Sequence, residues 1–448
     1  MRQKRTIQAS LFDLFSDHQI GRELSGMSNW LDSHTDLFVL VATDLGGDGR
    51  KDTGRQGLSA ESVLRCGLLK QYRQLSYEEL AFHLEDSASF RAFARLPFSA
   101  RPQKSALQAT ISSVRAETWE RINQRILMSA RHHKVESGAT IRIDSTATDA
   151  LMHEPTDSTL LVDAVRVMVR LLRRAVALPG GTALQWRNHQ RLARKRGLAI
   201  QYSRGKEKKA ALYRDLVAAT EACVAAMRRA FLCLQDNSPE VTLWRLEAEH
   251  YLALIERVIH QTRRRVIDGE SVPAGEKLVS LFEPHADIIV KSRRGVQYGH
   301  KLNLTSGRSG LILDVVVEAG NPADAVRFKP MLDRHIALYG KPPRQAVADA
   351  GYASLDNLNQ AKAIGVRDVA FHSKRGLAIE DMVKSKWVYR RLRNFRAGIE
   401  AGISCLKRAY GLSRCTWRGL NHFKSYVWSS VVAYNLSCLL YTSDAADE

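Results

Sequence analysis

The sequence predicts an α/β fold with a large helical insertion and an all-helical amino-terminal part. Three observations carry that expectation. Apolar residues recur at helical spacing through residues 1 to about 130. From about residue 287 the texture changes to short apolar or alternating runs punctuated by glycine, as in DIIVK, GVQYGHKLNLTSG and GLILDVVVEAG. Between one early strand, TIRID at 140–144, and that β territory lies a long, charged stretch nearly free of proline after Pro179.

The amino-terminal helices are marked individually. Val63, Leu64, Leu68 and Leu75 fall at near-helical spacing in the first clear one. Ser76 and Glu79 then form a capping-box pair that opens a helix over 76–96. Two helices joined by a tight turn suit a helix-turn-helix or any small bundle. In the middle stretch, Val165, Val167, Met168, Leu171 and Leu172 alternate with Arg166, Arg170, Arg173 and Arg174. A dense basic block follows between Arg191 and Lys209, and a third at Arg263–Arg265. Charge of one sign repels itself unless phosphates lie against it. In the β territory, 305–310 reads as a hairpin turn. Asn321 and Pro322 read as the start of a helix, and 345–349 as a strand ending at Asp349. The last major element before the end is a basic helix stopped by Gly411.

Composition narrows the partner. The 448 residues carry 67 Lys and Arg against 47 Asp and Glu, a net charge of +20. Such a chain suits an anionic partner, nucleic acid first and a membrane surface second. With 45% apolar residues it can bury a large core and form two or three domains. Its six cysteines are scattered with no C-x-x-C pair, which fits reduced thiols in the cytosol rather than a zinc ribbon or disulfide frame. No signal peptide or membrane span is expected.

Three acids stand out. Asp144 ends one strand, Asp349 ends another, and Glu400 lies on the basic helix in a stripe with Arg393, Arg396, Ser404 and Lys407. Phe395, Ile399, Ile403, Leu406 and Tyr410 make a neighbouring apolar stripe suited to packing on a sheet. Two strand-end aspartates and a helical glutamate offer the oxygen ligands that hard cations need. Two such ions support phosphoryl transfer, with the basic helix neutralising phosphates. Taken singly, each acid suits a turn, a cap or a surface ion pair; Asp149, His153, Asp157 and Asp163 are assigned such structural roles, with one of them as an accessory ligand the alternative.

Together these residues resemble the DDE transposases of bacterial insertion sequences. The likeness rests on RIDSTATDALMHEPTDSTLLVDAVRV, QYSRGKEKKAALYRDL, SLFEPHADIIVK, YGHKLNLTSG, VADAGYAS and RAGIEAGISCLKRAYGLSRCTWRG, which are similar to the loosely grouped ISNCY transposases. The signature Y-x2-R-x3-E-x6-K is met at Arg396, Glu400 and Lys407. Arg393 stands at the tyrosine position, and Tyr389 lies a turn earlier. The resemblance implies an RNase H-like core with a mixed sheet, in which Asp144, Asp349 and Glu400 are catalytic and hold two Mg²⁺ ions, with Mn²⁺ as a substitute. It implies an enzyme that binds terminal inverted repeats, cuts the DNA strand and transfers the freed 3′ hydroxyl to target DNA. Arg396, Lys407 and Arg393 would contact double-stranded DNA, and the chain would act as a homodimer or higher assembly, cytoplasmic and nucleoid-associated. The alternatives are an RNase H-fold nuclease or resolvase without strand transfer, and an inactive DNA-binding derivative.

Spacing sets the domain expectation. Only 51 positions separate Asp349 from Glu400, but 205 separate Asp144 from Asp349. The insertion therefore follows the first strand, at about 158–280, inside a catalytic domain at 136–437. A helical, DNA-binding amino-terminal domain would cover 1–135. Within the insertion Arg194, Lys195, Arg196 and Lys206 are expected to hold DNA. The end, 438–448, resembles a translated adapter and is expected to lie outside the fold.

Overall fold

The computed structural model describes residues 18–46, 57–97, 99–290, 295–373 and 376–447, with side chains described through residue 440. The chain divides into two compact units. One joins Met1–Leu151 to His300–Glu448, and the other is Met152–Gly299.

The first unit opens with α1 (Gln19–Ser33), α2 (Asp36–Gly46), α3 (Ala60–Tyr72), α4 (Tyr77–Asp86), α5 (Ala88–Phe93), α6 (Lys104–Ile111) and α7 (Ala116–His132). Their starts follow local chemistry. The Ser59 hydroxyl accepts from the Ser62 amide at 3.0 Å. Ser76 and Glu79 form the expected reciprocal box, at 3.1 and 2.7 Å. The helix expected over 76–96 is broken at Ser87, whose hydroxyl accepts from the Phe90 amide and starts α5. α3 is buried along its length, Arg65 included. That guanidinium is paired with Glu61 and Asp32, each at 3.0 Å, as a buried charge requires.

β1 (Thr140–Asp149) follows. It is ten residues long, so Asp144 lies mid-strand rather than at its end. The chain then leaves for the second unit, within which the insertion expected at about 158–280 lies.

That unit packs α8 (Asp157–Val176), α9 (Gln190–Tyr202), α10 (Lys206–Cys233) and α11 (Pro239–Thr262) around their own core. Thr156 caps α8. Trp244, fully buried, donates its indole N–H to the Leu171 carbonyl at 2.9 Å. The unit holds 25 Lys and Arg against 16 Asp and Glu. Part of the expected self-repulsion is relieved within the unit, because acids on other elements meet some of the basic residues. Arg170 and Arg174 meet Glu247, Arg263 meets Glu221, Arg265 meets Asp157 and Arg196 meets Asp215. β2 (Asp287–Val290) pairs antiparallel with the first residues of β3 (Val296–Ser306).

β3 carries the chain back into the first unit, which continues through β4 (Ile312–Val317), α12 (Phe328–Tyr339), β5 (Gln345–Ala348), α13 (Leu355–Ala363), β6 (Asp368–Phe371), α14 (Ile379–Met382), α15 (Lys386–Ala409) and α16 (Leu420–Asp447). Its strands run in the order β3-β1-β5-β6, with β4 on β3. β3 and β4 are antiparallel; β1, β5 and β6 are mutually parallel. This mixed order, with a helical insertion after the first strand, is RNase H-like. α12 starts later than Asn321 and Pro322 suggested, at Phe328 after a 3-10 turn. Pro330 fixes that start, since a proline is tolerated in a first turn and not in a helix interior.

α16 packs on α7 and α3. Its Asn435, fully buried, donates to Asn123 on α7 at 2.6 Å and to the Ile312 carbonyl at 2.7 Å, and accepts from the Ile312 amide at 2.8 Å. One side chain thus joins the amino-terminal helices, the last helix and the start of β4. α16 continues through the segment expected outside the fold, where Leu439 lies in the core.

Candidate active site

The site begins with strand register. The parallel pairing of β1 with β5 runs from Thr140↔Gln345 to Ile143↔Ala348. Asp144 and Asp349 are the next residue on each strand, so the two aspartates emerge side by side where the ladder stops. Beyond Ala348 the chain turns into a 3-10 segment that Asp349 precedes without capping it by its side chain, so its carboxylate is not spent on the turn. Asp144 Oδ1 accepts from the Ser145 amide at 2.7 Å. Ser145 and Thr146 continue the strand, and the Ser145 backbone N–H helps to orient Asp144.

The third element is α15, packed on β1, β5 and β6. Val388, Leu392, Ile399 and Leu406 point into the core, and Ser385 caps the helix. Arg396 is on that buried side, not on an exposed stripe with Arg393. Its Nη1 lies 3.2 Å from Asp144 Oδ2 and 3.5 Å from Asp349 Oδ1. Its Nη2 bonds Glu400 Oε1 one turn along the helix. One guanidinium thus draws together the three acids singled out from the sequence. Exposure rises across them, from 14% for the Asp144 side chain through 42% for Asp349 to 61% for Glu400, so the cluster opens to solvent on the helix side.

A largely buried polar layer lies near the aspartates. The Tyr352 hydroxyl donates to Asn303 Oδ1 at 2.5 Å, and Asn303 donates to Glu318 at 2.8 Å. Glu318 is held by Arg327 at 2.6 Å, and Lys301 meets Asp324 at 2.7 Å. Burial, with Asp324 and Asp144 nearby, pushes the Tyr352 hydroxyl well above its usual range, so it stays a neutral donor. A Cβ on Gly351 would come within 2.6 Å of Asp324 Oδ2, so only glycine lets this turn pass so close.

The remaining expected residues divide. Lys407 is half-buried; desolvation lowers its pKa, against an opposing pull from Asp149. Arg393 is exposed, and the tyrosine a turn earlier, Tyr389, is buried with its hydroxyl on the Phe371 carbonyl at 2.8 Å. Arg194, Lys195 and Lys206 lie in the second unit, Lys195 and Lys206 exposed, whereas Arg196 is paired with Asp215 at 3.0 Å. Asp157 and Asp163 have the structural roles expected of them, in ion pairs with Arg265 and Arg166.

Apart from Arg393, the exposed cations beside the acids were not singled out. α15 displays Lys386, Arg390, Arg391 and Arg393 to solvent, with Trp387 exposed among them and stacked under Arg391 at 5.0 Å. None of these four cations has a carboxylate within ion-pair distance among the described residues. By contrast, the outward residues of α4 include Glu78, Glu79, Glu85 and Asp86. Tyr352 and Arg142 were also passed over, because nothing in their local pattern separates them from ordinary strand and turn residues.

The three carboxylates form an oxygen-only donor set of the kind that hard divalent cations take, and that chemistry fits the chain. Among the described residues no group of three or more His, Cys, Asp or Glu is itself drawn to metal-ligand spacing. Arg396 meets each of these acids instead.

Residues 259–436 match the family described as Transposase DDE domain. Over that stretch the chain carries a transposase DDE domain. The match takes in Asp349, Arg396, Glu400 and Lys407 and begins after Asp144, so the first acid rests on the strand register and on Arg396. No curated protein and no solved structure gives a match. No helix among the described residues is long and apolar enough to cross a membrane.

Proposed function

We propose that this chain is a transposase that cuts the DNA strand at transposon ends and joins the freed 3′ hydroxyl to target DNA, at the cluster of Asp144, Asp349 and Glu400. The observation that carries the reading is the joint approach of all three acids to Arg396 beside an uncompensated cationic helix face. Strand cleavage needs a nucleophilic water aimed at phosphorus and charge stabilisation on the phosphoryl oxygens. Asp144, Asp349 and Glu400 would hold two Mg²⁺ ions, or Mn²⁺ in their place. When bound, such ions polarise the phosphate and favour both the attacking and the leaving oxygen.

The chain's own residues do the rest. Arg396 exchanges a carboxylate for a phosphate oxygen, for which its planar fork is suited. Lys386, Arg390 and Arg393, at steps of four and three along one helix face, hold the flanking backbone by charge. Water attacks phosphorus, and the 3′ oxygen leaves and takes a proton as the 3′ hydroxyl. That hydroxyl then attacks a target phosphodiester, displacing a second 3′ oxygen. Arg194, Lys195 and Lys206 add backbone contact from the insertion, and the amino-terminal helices take part in recognising the ends. The chain acts on paired ends as a dimer or larger assembly.

The test uses a plasmid carrying this coding region with its native flanking DNA. Wild type should nick it at the flanks when given Mg²⁺. Asp144→Asn, Asp349→Asn and Glu400→Gln should each lose about 10²–10³-fold in rate or more while still binding DNA. A variant of any of the three that cuts at the wild-type rate would remove that acid from the mechanism.

A further inference from the structure

β1 carries a second ionisable side chain on the face that bears Asp144. Arg142 precedes it by two residues, one pleat repeat, and is only 8% exposed. Three elements meet at its guanidinium. Nε donates to Ser306 Oγ on β3 at 2.8 Å. Nη1 donates to the Phe395 carbonyl on α15 at 2.9 Å, and the group stacks on the Phe395 ring at 4.6 Å. Among the described residues no carboxylate lies within ion-pair distance of it, and burial lowers its pKa.

The helix is shaped to receive it. A Cβ on Gly398 would lie 2.0 Å from Arg142 Nη1 and 2.9 Å from its Cζ, and all three nearest atoms belong to Arg142. Glycine inside a helix is less stable than alanine, so a helix-interior glycine here has a steric reason. Apolar packing alone would let α15 slide along the sheet, since it is not directional. A fork that bonds one carbonyl and enters one notch does fix the register. The carbonyl it holds is that of Phe395, the residue before Arg396.

We propose that Arg142 is a positioning residue: it pins α15 at one axial register on β1 and thereby sets where Arg396 and Glu400 stand relative to Asp144. This rests on the strand-cleavage reading of the same site. Two fixed points link strand to helix, Arg142 to Phe395 and Asp144 to Arg396. Losing the first leaves the second to drift, and a displacement near 1 Å can cost about 10²-fold in rate.

The test takes the full chain as wild type, Arg142→Met, Arg142→Lys, Gly398→Ala and the double variant Arg142→Ala/Gly398→Ala beside Arg142→Ala. Nicking of the flank-bearing plasmid is resolved into kcat and KM, and thermal unfolding is followed on the same chains. Arg142→Met should lower kcat by about 10²-fold while KM for DNA moves less than about threefold. Arg142→Lys, which keeps the charge and lacks the fork, should recover under a tenth of that loss. Gly398→Ala should be harmful in wild type and add no further loss of kcat or melting temperature on the Arg142→Ala background. The proposal is overturned if folded Arg142→Met keeps its kcat, if Lys restores it, or if the Gly398→Ala effect is the same on both backgrounds. A wild type that never nicks DNA defeats the cleavage reading instead; the melting-temperature cycle then still reports on the pin, and additive effects there would overturn it.

Discussion

Arg396 donates to Asp144 across 3.2 Å, from the middle of a helix to the middle of a strand 252 residues earlier in the chain. The same guanidinium reaches Asp349 and Glu400, so a fixed cation already stands among the carboxylates. Arg396→Gln should therefore bind Mn²⁺ more tightly than wild type in the absence of DNA, by about tenfold, equivalent to about 1.4 kcal/mol. Titration calorimetry or electron paramagnetic resonance of added Mn²⁺ reads this directly. Equal affinities would mean that Arg396 does not compete for the acids. Cleavage by this variant should fall all the same, because the phosphate loses a donor.

The cationic face of α15 should dominate the salt dependence of DNA binding. Neutralising Lys386, Arg390 and Arg393 together should flatten the slope of log K against log salt by about 2.7. The triple change at Arg194, Lys195 and Arg196 should remove at most about 1.8, because Arg196 is held by Asp215 at 3.0 Å. Fluorescence anisotropy of a labelled duplex across a salt series of about 50–200 mM separates the two. A slope unmoved by the α15 changes would take DNA off that face.

His335 gives a pH signature in stability. It is 2% exposed, stacked on Tyr339 at 4.7 Å, and burial pushes its pKa down to about 4. Its ordinary value is about 6.5, so the unfolded chain takes up the proton first. The stabilising contribution is complete above about pH 6.5 and is lost as pH falls from there towards about 4, with no further change below. Urea midpoints of wild type minus His335→Leu should show that slope between about pH 6.5 and 4. A flat difference would place the imidazole in contact with water.

Asn435 should be costly to remove. Asn435→Ala would strand Asn123 Oδ1 and the Ile312 amide in the core, while the Ile312 carbonyl keeps the Asn123 amide as a donor at 3.3 Å. Leaving buried polar groups unpaired costs about 1–3 kcal/mol each at most, so a total loss of about 2–4 kcal/mol is expected from chemical denaturation. A loss under about 0.5 kcal/mol would show that water or a rearranged side chain satisfies them.

The sequence was readable where chemistry is local. Ser76 with Glu79, Ser59, and the apolar stripe of Ile399, Leu406 and Tyr410 each behave as their spacing requires, because a cap or a helix face is settled within a few residues. Pro330 shows the limit of that reading: Asn321 and Pro322 offered a plausible helix start, and a second proline eight residues later decided otherwise. The pairing of the insertion's charges was hidden for a related reason. Periodicity shows that Arg170 and Arg174 share a helix face, but says nothing of Glu247, which arrives from another helix to meet them.

The sequence by itself determined the acids: two aspartates at apolar runs, and a glutamate in register with Arg396 and Lys407 on an amphipathic basic helix. Residue type and spacing suffice for that, since helix and strand periods are properties of the backbone. Tertiary structure alone decided what those residues face. Parallel pairing of β1 with β5 sets Asp144 beside Asp349, and the docking of α15 turns Arg396 inward to them while leaving Lys386, Arg390 and Arg393 outside. It also decided that Arg142 faces protein rather than water. On a strand with one wet face an arginine beside isoleucines points to water; on a central strand covered on both faces, it must find its partners in the protein.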